Sequence, residues 1–232
     1  MGAHVVWDWN GTLLDDTDLV VACAGAIAAR FGVANLTRDR WRSIATRPMR
    51  GTYDLLAGRP LTTDEWRTVQ RDWLAMYTEG FHTAGLAPDA LHALTVIRDR
   101  GWTQSVVSVT PSDHLAEQVA ARGVDGFLTG VAGIHPSAGA GGGRPKSAIL
   151  RTHLTALGIP AAHVIVVGDN PDDAAAALHV GARVTLVATG DTSFSRLAAT
   201  GHPVAPSLTA ALTYPPLADD AGPGRGAPVG PR

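Results

Sequence analysis

The stretch His4-Val5-Val6-Trp7-Asp8-Trp9-Asn10-Gly11-Thr12-Leu13-Leu14-Asp15 decides how this chain reads. Its apolar opening has the composition of a buried strand, and it stops at a carboxylate followed by a glycine-bearing turn. In open α/β sheets the ligand crevice lies outside the carboxyl ends of the strands. Asp8 is therefore expected to face a ligand, with Gly11 letting the backbone approach it closely. Taken alone, Asp-x-x-Gly-Thr reads equally well as a closing turn, because Asp, Asn and Gly are common turn residues.

Three later segments favour the functional reading. Val164-Ile165-Val166-Val167 is a second buried-strand run, ending in Gly168-Asp169-Asn170-Pro171-Asp172-Asp173 and then an Ala-rich helix that exits at Gly181. Ser105-Val106-Val107-Ser108-Val109-Thr110 ends a third strand in hydroxyls, and Lys146 follows a glycine-rich loop at the start of another helix. A carboxylate nucleophile, a hydroxyl, a lysine and an acidic pair thus occur in order along the chain.

Between the first and second strands the sequence changes character. Leu19 to Phe31 reads as a helix with Gly32 just past its end, and Thr37 caps a second helix carrying Trp41 and Ile44. Thr62-Thr63-Asp64-Glu65 is a capping-box signature, followed by Trp66, Val69, Trp73, Met76 and Tyr77 at helical spacing. Such a stripe is expected to pack inward as core. Pro88 and Gly101 frame a helix over 89–100 that leads back to the sheet. Strands are expected at 102–109, 126–129, 163–167 and 183–187, alternating with helices; with the first strand this predicts a five-stranded, doubly wound parallel α/β sheet. The run from Pro136 to Pro145 reads as a Gly-Ala-rich loop and 215–232 as a disordered Pro-Gly-rich tail.

With 232 residues, 45% hydrophobic and 17% charged, the chain can bury a substantial core. A net charge of -2 without a basic stripe argues against nucleic-acid binding, which relies on clustered Lys and Arg. The one cysteine, Cys23, lies in an apolar helical run and is expected to be a small core residue, so no intrachain disulfide is possible. No membrane-spanning run or leader pattern is evident, which predicts a cytoplasmic protein. The histidines show no paired zinc-site spacing, and none is expected to be a ligand.

Taken together, Asp8-Trp9-Asn10-Gly11-Thr12, Ser108, Lys146 and Gly168-Asp169 with Asp173 resemble the motif set of the haloacid dehalogenase-like (HAD) superfamily, more closely its phosphoglycolate-phosphatase-like members. One position departs: Asn10 stands where phosphatases usually carry a second Asp. The resemblance implies a Rossmann-like core over 1–16 and 87–214 with a helical cap, 17–86, inserted after the first strand. It also implies a Mg²⁺-dependent phosphatase acting on a small phosphorylated metabolite through an aspartyl-phosphate. In that scheme Asp8 attacks phosphorus and Asp8, Asp169 and the main-chain carbonyl of Asn10 hold Mg²⁺, a cation that prefers hard oxygen ligands. Gly11, Thr12, Ser108 and Lys146 bind the phosphate, and Asp173 holds Lys146 or a metal-bound water. Arg47 and Arg50, flanking Pro48-Met49 between two cap helices, are candidates for substrate recognition.

Asn10 leaves the function open at one point. The usual second Asp protonates the leaving alcohol and then activates water, a contribution of roughly 10²–10⁴-fold. An amide cannot do this. The sequence is compatible with a phosphatase for good leaving groups, a specialised phosphatase using another base, a phosphonate hydrolase or phosphomutase variant, or a catalytically weakened phosphate-binding protein.

Overall fold

A computed structural model describes residues 2–135 and 145–218 of the chain. The expected loop over 136–145 therefore lies outside the described residues except for Pro145, as does the tail from 219 onward. Strand β1, His4–Trp7, is buried along its whole length and pairs in parallel with β4, Thr103–Pro111, on one side and β6, Val164–Gly168, on the other. Outward from β4 lies β5, Val131–Ile134; outward from β6 lie β7, Arg183–Val187, and β8, Val204–Ala205. The parallel sheet has the order β5-β4-β1-β6-β7-β8. The chain works outward from β1 in one direction and then returns to build the other half, so β1 stands where the strand order reverses, the place where such sheets bind ligands.

The sheet is sealed on both faces because alternate residues of a strand point opposite ways. Val5 and Trp7 join a core with α5, Ala90–Asp99, and α6, Ser112–Ala121. Val6 joins a second core with α7, Lys146–Leu157, and α8, Pro171–Val180. This two-sided cover explains why β1 and β6 read as continuous apolar runs rather than alternating ones. Two strand expectations are corrected. The segment 126–129 is not a strand: Asp125–Phe127 forms a short 3-10 turn, and β5 begins at Val131, in register with Val106. The sheet has six strands, not five, because the two-residue β8 is too short to leave a sequence pattern.

A two-stranded antiparallel ribbon, β2, Leu14–Asp15, with β3, Gly85–Leu86, marks where the chain leaves the sheet and returns to it. Between them run α1, Thr17–Ala28, α2, Arg38–Ile44, α3, Arg50–Ala57, and α4, Thr63–Gly80. The Thr37 hydroxyl caps α2, and Thr62 and Glu65 form the expected capping box on α4. These helices have their own apolar cluster, which includes Cys23, Trp41, Tyr53, Leu56 and Val69.

Candidate active site

Equal register across β4, β1 and β6 brings the ends of three strands together. Asp8 follows β1 directly, and its N–H donates to the Val167 carbonyl at 2.8 Å. Asp169 follows β6, and Ser108 lies near the end of β4. Asp8, Asp169 and Asp173 are all buried, and each offers a carboxylate oxygen within 4.8 Å of the others. The sequence pattern placed these carboxylates in one site, and the fold does bring them together.

Lys146, the first residue of α7, is buried against this cluster. Its ammonium is hydrogen-bonded to Asp8 Oδ1 and lies 2.5 Å from Asp173 Oδ1. Desolvation would lower its pKa, but the carboxylates of Asp173 and Asp8 override that and hold the ammonium protonated. Asp173 is fixed from its other oxygen, which accepts the Asn170 N–H at 3.0 Å in the first turn of α8. Burial pushes its carboxyl up to about 6, against the pull of Lys146. Asp169 is held well above the usual carboxylate range, first by burial and then by repulsion from Asp8, Asp191 and Asp173. One lysine among three buried acids leaves negative charge uncompensated. A hard divalent cation suits such an all-oxygen donor set.

The loop after β7 closes the site. Asp191 donates its N–H to Asp169 Oδ2 at 2.7 Å, and Thr189 Oγ1 donates to the Gly11 carbonyl at 2.6 Å. Gly11 adopts φ 71°, and both its left-handed backbone and its surroundings demand glycine: a Cβ there would lie 2.8 Å from Gly190 Cα. Helix α2 grips the same loop, Arg42 donating to the Ala188 carbonyl at 2.7 Å and Trp41 Nε1 to Asp191 Oδ1 at 3.1 Å.

Asn10 is held at both ends of its side chain. Its Nδ2 donates to Asp16 Oδ2 at 2.8 Å and to the Tyr77 hydroxyl at 2.7 Å. Its Oδ1 accepts from Thr110 Oγ1 at 2.8 Å, with Ser108 Oγ 3.3 Å away. The partners settle the amide's orientation, since hydroxyls face its oxygen and a carboxylate its nitrogen. Asp16, 2% exposed, also accepts from Tyr77 at 2.6 Å and from the Gly11 N–H at 2.8 Å. Burial raises its pKa despite these three donors.

Asp16, Tyr77, Thr110 and Asp191 were not among the site residues expected from sequence. The predicted site residues fall in different places. Thr12 is fully buried and its hydroxyl lacks a partner among the described residues. Arg47 reaches to 4.0 Å from Asp191 and lines a cavity beside Asn10. Arg50 does not join them: it donates to the Leu61 carbonyl at 2.6 Å, within the helical layer. The aromatic stripe of α4 also differs from the expected solid core, because Trp66, Trp73 and Tyr77 face that cavity as well as the helical cluster.

Residues 5–187 match the family model described as haloacid dehalogenase-like hydrolase, and the chain belongs to that family. No curated protein sequence matches it. Among solved structures it is similar to a haloacid dehalogenase-like family hydrolase from Streptococcus pneumoniae, with 16% identity, a TM-score of 0.75, and coverage of 92% of this chain and 98% of that one. A predicted phosphatase from Clostridium acetobutylicum shares 15% identity at a TM-score of 0.75, covering 90% of this chain and 95% of that one. A predicted phosphoglycolate phosphatase from Haemophilus somnus shares 18% identity at a TM-score of 0.68, covering 89% and 95%. Among the described residues, no helix is long and apolar enough to cross a membrane.

Proposed function

We propose that this chain is a Mg²⁺-dependent cytoplasmic phosphatase that hydrolyses a small phosphate monoester through an aspartyl-phosphate on Asp8. The observation that carries this reading is the buried arrangement of Asp8 and Asp169, at adjoining strand ends, with Lys146 of α7 and Asp173 of α8. Residues 17–86 act as the cap over a core formed by 1–16 and 87–214.

Asp8 and Asp169, with the main-chain carbonyl of Asn10, are the groups that would hold Mg²⁺. When bound, the cation neutralises charge on the phosphoryl oxygens and so lets a carboxylate approach a dianion. Lys146 orients Asp8 and supplies positive charge to the phosphoryl group, and Ser108 donates to one of its oxygens. The carboxylate of Asp8 attacks phosphorus, forming an acyl phosphate as the ester P–O bond breaks and the leaving oxygen takes its proton from solvent water, departing as the alcohol. Water then attacks the same phosphorus, breaking the bond to Asp8 and releasing inorganic phosphate. Asp173 keeps Lys146 in place throughout.

Release of inorganic phosphate from a panel of esters, with Mg²⁺ and with excess chelator, tests the assignment. Sustained turnover with Mg²⁺ and its loss in chelator are expected. Folded protein that binds phosphate but never turns over would point instead to a catalytically weakened phosphate-binding protein.

A further inference from the structure

A cavity of about 420 Å³ lies between α4 and the end of β4, and Asn10 is on its wall. Its size falls in the small-molecule range of roughly 300–1,000 Å³. Asp8 and Lys146 are not part of its lining, so a phosphoryl group seated against them would send its ester oxygen past Asn10 and its organic group into this space.

The walls are unsuited to a small acid. Five aromatic side chains line the cavity: Tyr53, Trp66, Trp73, Tyr77 and Phe81. Tyr53 and Trp66 are tilted at 5.9 Å between ring centroids, whereas Trp73 and Tyr77 stack at 4.9 Å with only 10° between their planes. Among the described residues Arg47 is the only Lys or Arg in the lining, and it is already 4.0 Å from Asp191; Asp16 is a second acid of the lining. A carboxylate on the leaving group would face two acids, one occupied guanidinium and the His114 imidazole. Two lining residues also keep buried donors without a partner among the described residues, the Tyr53 hydroxyl and the Trp73 indole N–H.

We infer that the substrate's alcohol portion is an uncharged, ring-bearing group seated on these aromatic side chains, and not a short carboxylic acid such as glycolate or a fully polar sugar. The inference rests on the phosphatase reading for its reaction, but the cavity can be tested without it.

Three esters of primary alcohols, 2-phenylethyl phosphate, ethyl phosphate and phosphoglycolate, differ mainly in what enters the cavity. With Mg²⁺, kcat/KM for 2-phenylethyl phosphate should exceed that for ethyl phosphate at least tenfold, with phosphoglycolate lowest. Filling the cavity by Val69→Phe, or narrowing it from the exposed Gln70 by Gln70→Trp, should lower the ratio of the first two constants at least fivefold. Turnover of phosphoglycolate equal to or faster than that of 2-phenylethyl phosphate would overturn the inference and leave the phosphatase reading standing. Saturation-transfer NMR with 2-phenylethanol and glycolate covers the case in which no ester is hydrolysed. Transfer to the phenyl protons of 2-phenylethanol, none to glycolate, and its loss in the folded Gln70→Trp variant are expected. No transfer to 2-phenylethanol in folded wild-type protein overturns the inference whatever the catalytic outcome.

Discussion

Asn10 donates its side-chain amide to the buried carboxylate of Asp16 at 2.8 Å, so the amide at position 10 is held by an acid six residues on. Tyr77 joins both, accepting from Asn10 and donating to Asp16. Burial raises the pKa of the Tyr77 phenol further above its usual value, so its hydroxyl stays a donor at every working pH. The network ties α4 to the loop after β1 and fixes what a substitution at position 10 would meet.

Asp8→Asn should fold and be inactive. Lys146 keeps its contact with Asp173, so the substitution removes the nucleophile without orphaning the lysine. Circular dichroism should match the wild type, and phosphate release should fall to background. The wild type, quenched in acid during turnover of a radiolabelled ester, should carry label that Asp8→Asn lacks. Turnover by a homogeneous Asp8→Asn preparation would rule out the covalent route.

Thermal stabilisation by Mg²⁺ should grow with pH. Asp169 and Asp173 both have raised pKa values, the latter about 6, so the folded protein binds these protons more tightly than the unfolded chain does. Without metal, their contribution to stability is therefore lost as pH rises from about 4 through the folded-state values. A divalent cation competes with those protons and offsets the repulsion once they are gone. The Mg²⁺-induced rise in Tm is expected to be larger at pH 8 than at pH 5. Buried His4, its pKa lowered to about 4 by desolvation, opposes the trend in absolute Tm but cancels in this difference. Asp169→Asn should raise the metal-free Tm at pH 8 and abolish the Mg²⁺ response; equal Mg²⁺ shifts at the two pH values would contradict the cluster's role.

Gly190→Ala should damage the site by steric displacement. A Cβ at Gly190 would lie 2.1 Å from Asp169 Oδ2 and 2.7 Å from Gly11 Cα, and neither a buried carboxylate nor a backbone atom can yield cheaply. Overpacking of this kind costs about 1–3 kcal/mol. At about 2–4 °C per kcal/mol for a chain of this size, the melting temperature should fall measurably, together with kcat. Gly126→Ala, whose Cβ would meet nothing within 4 Å, is the matched control and should melt with the wild type.

Much of this arrangement was legible because it is local. A strand that stops at a carboxylate can be read from a few residues, and β1 and β6 both display that pattern. The same criterion applied to β7 would have singled out Asp191, which follows Val187 and Ala188 through a Thr-Gly turn. Asp16 and Tyr77 were harder to find. They are 61 residues apart, and each has an ordinary local reading, one as a helix-start acid and the other as part of an apolar stripe. Their meeting depends on how α4 folds back against the loop after β1, which periodicity does not encode. The misplaced fifth strand has a comparable cause: Thr129 hydrogen-bonds back to the Gln104 carbonyl at 2.8 Å, but the ladder proper starts only at Val131.

Position 10 offers the sharpest test. Asn10→Asp by itself would set two carboxylates 2.8 Å apart in a buried setting, where like charges cannot both ionise freely. It should lower stability by about 1–3 kcal/mol, the cost of leaving buried polar groups without proper partners. The paired exchange Asn10→Asp with Asp16→Asn inverts the network instead of breaking it. The new amide at 16 can donate to the carboxylate at 10 and to Tyr77 while still accepting the Gly11 N–H, and Tyr77 can turn its proton toward position 10. The double variant should therefore recover the stability that the single one loses. It should also hydrolyse alkyl phosphates faster than the wild type, by an amount bounded by the roughly 10²–10⁴-fold value of a general acid-base group. Activated aryl phosphates should gain less, because their alcohols leave without protonation. Intact-mass analysis must accompany the kinetics, since deamidation at Asn10-Gly11 would generate the single variant in an aged sample. If homogeneous wild-type protein turns over alkyl phosphates as fast as the double variant, position 10 is not where the leaving group receives its proton. If the single and double variants melt together, the Asn10–Asp16 contact does not govern stability.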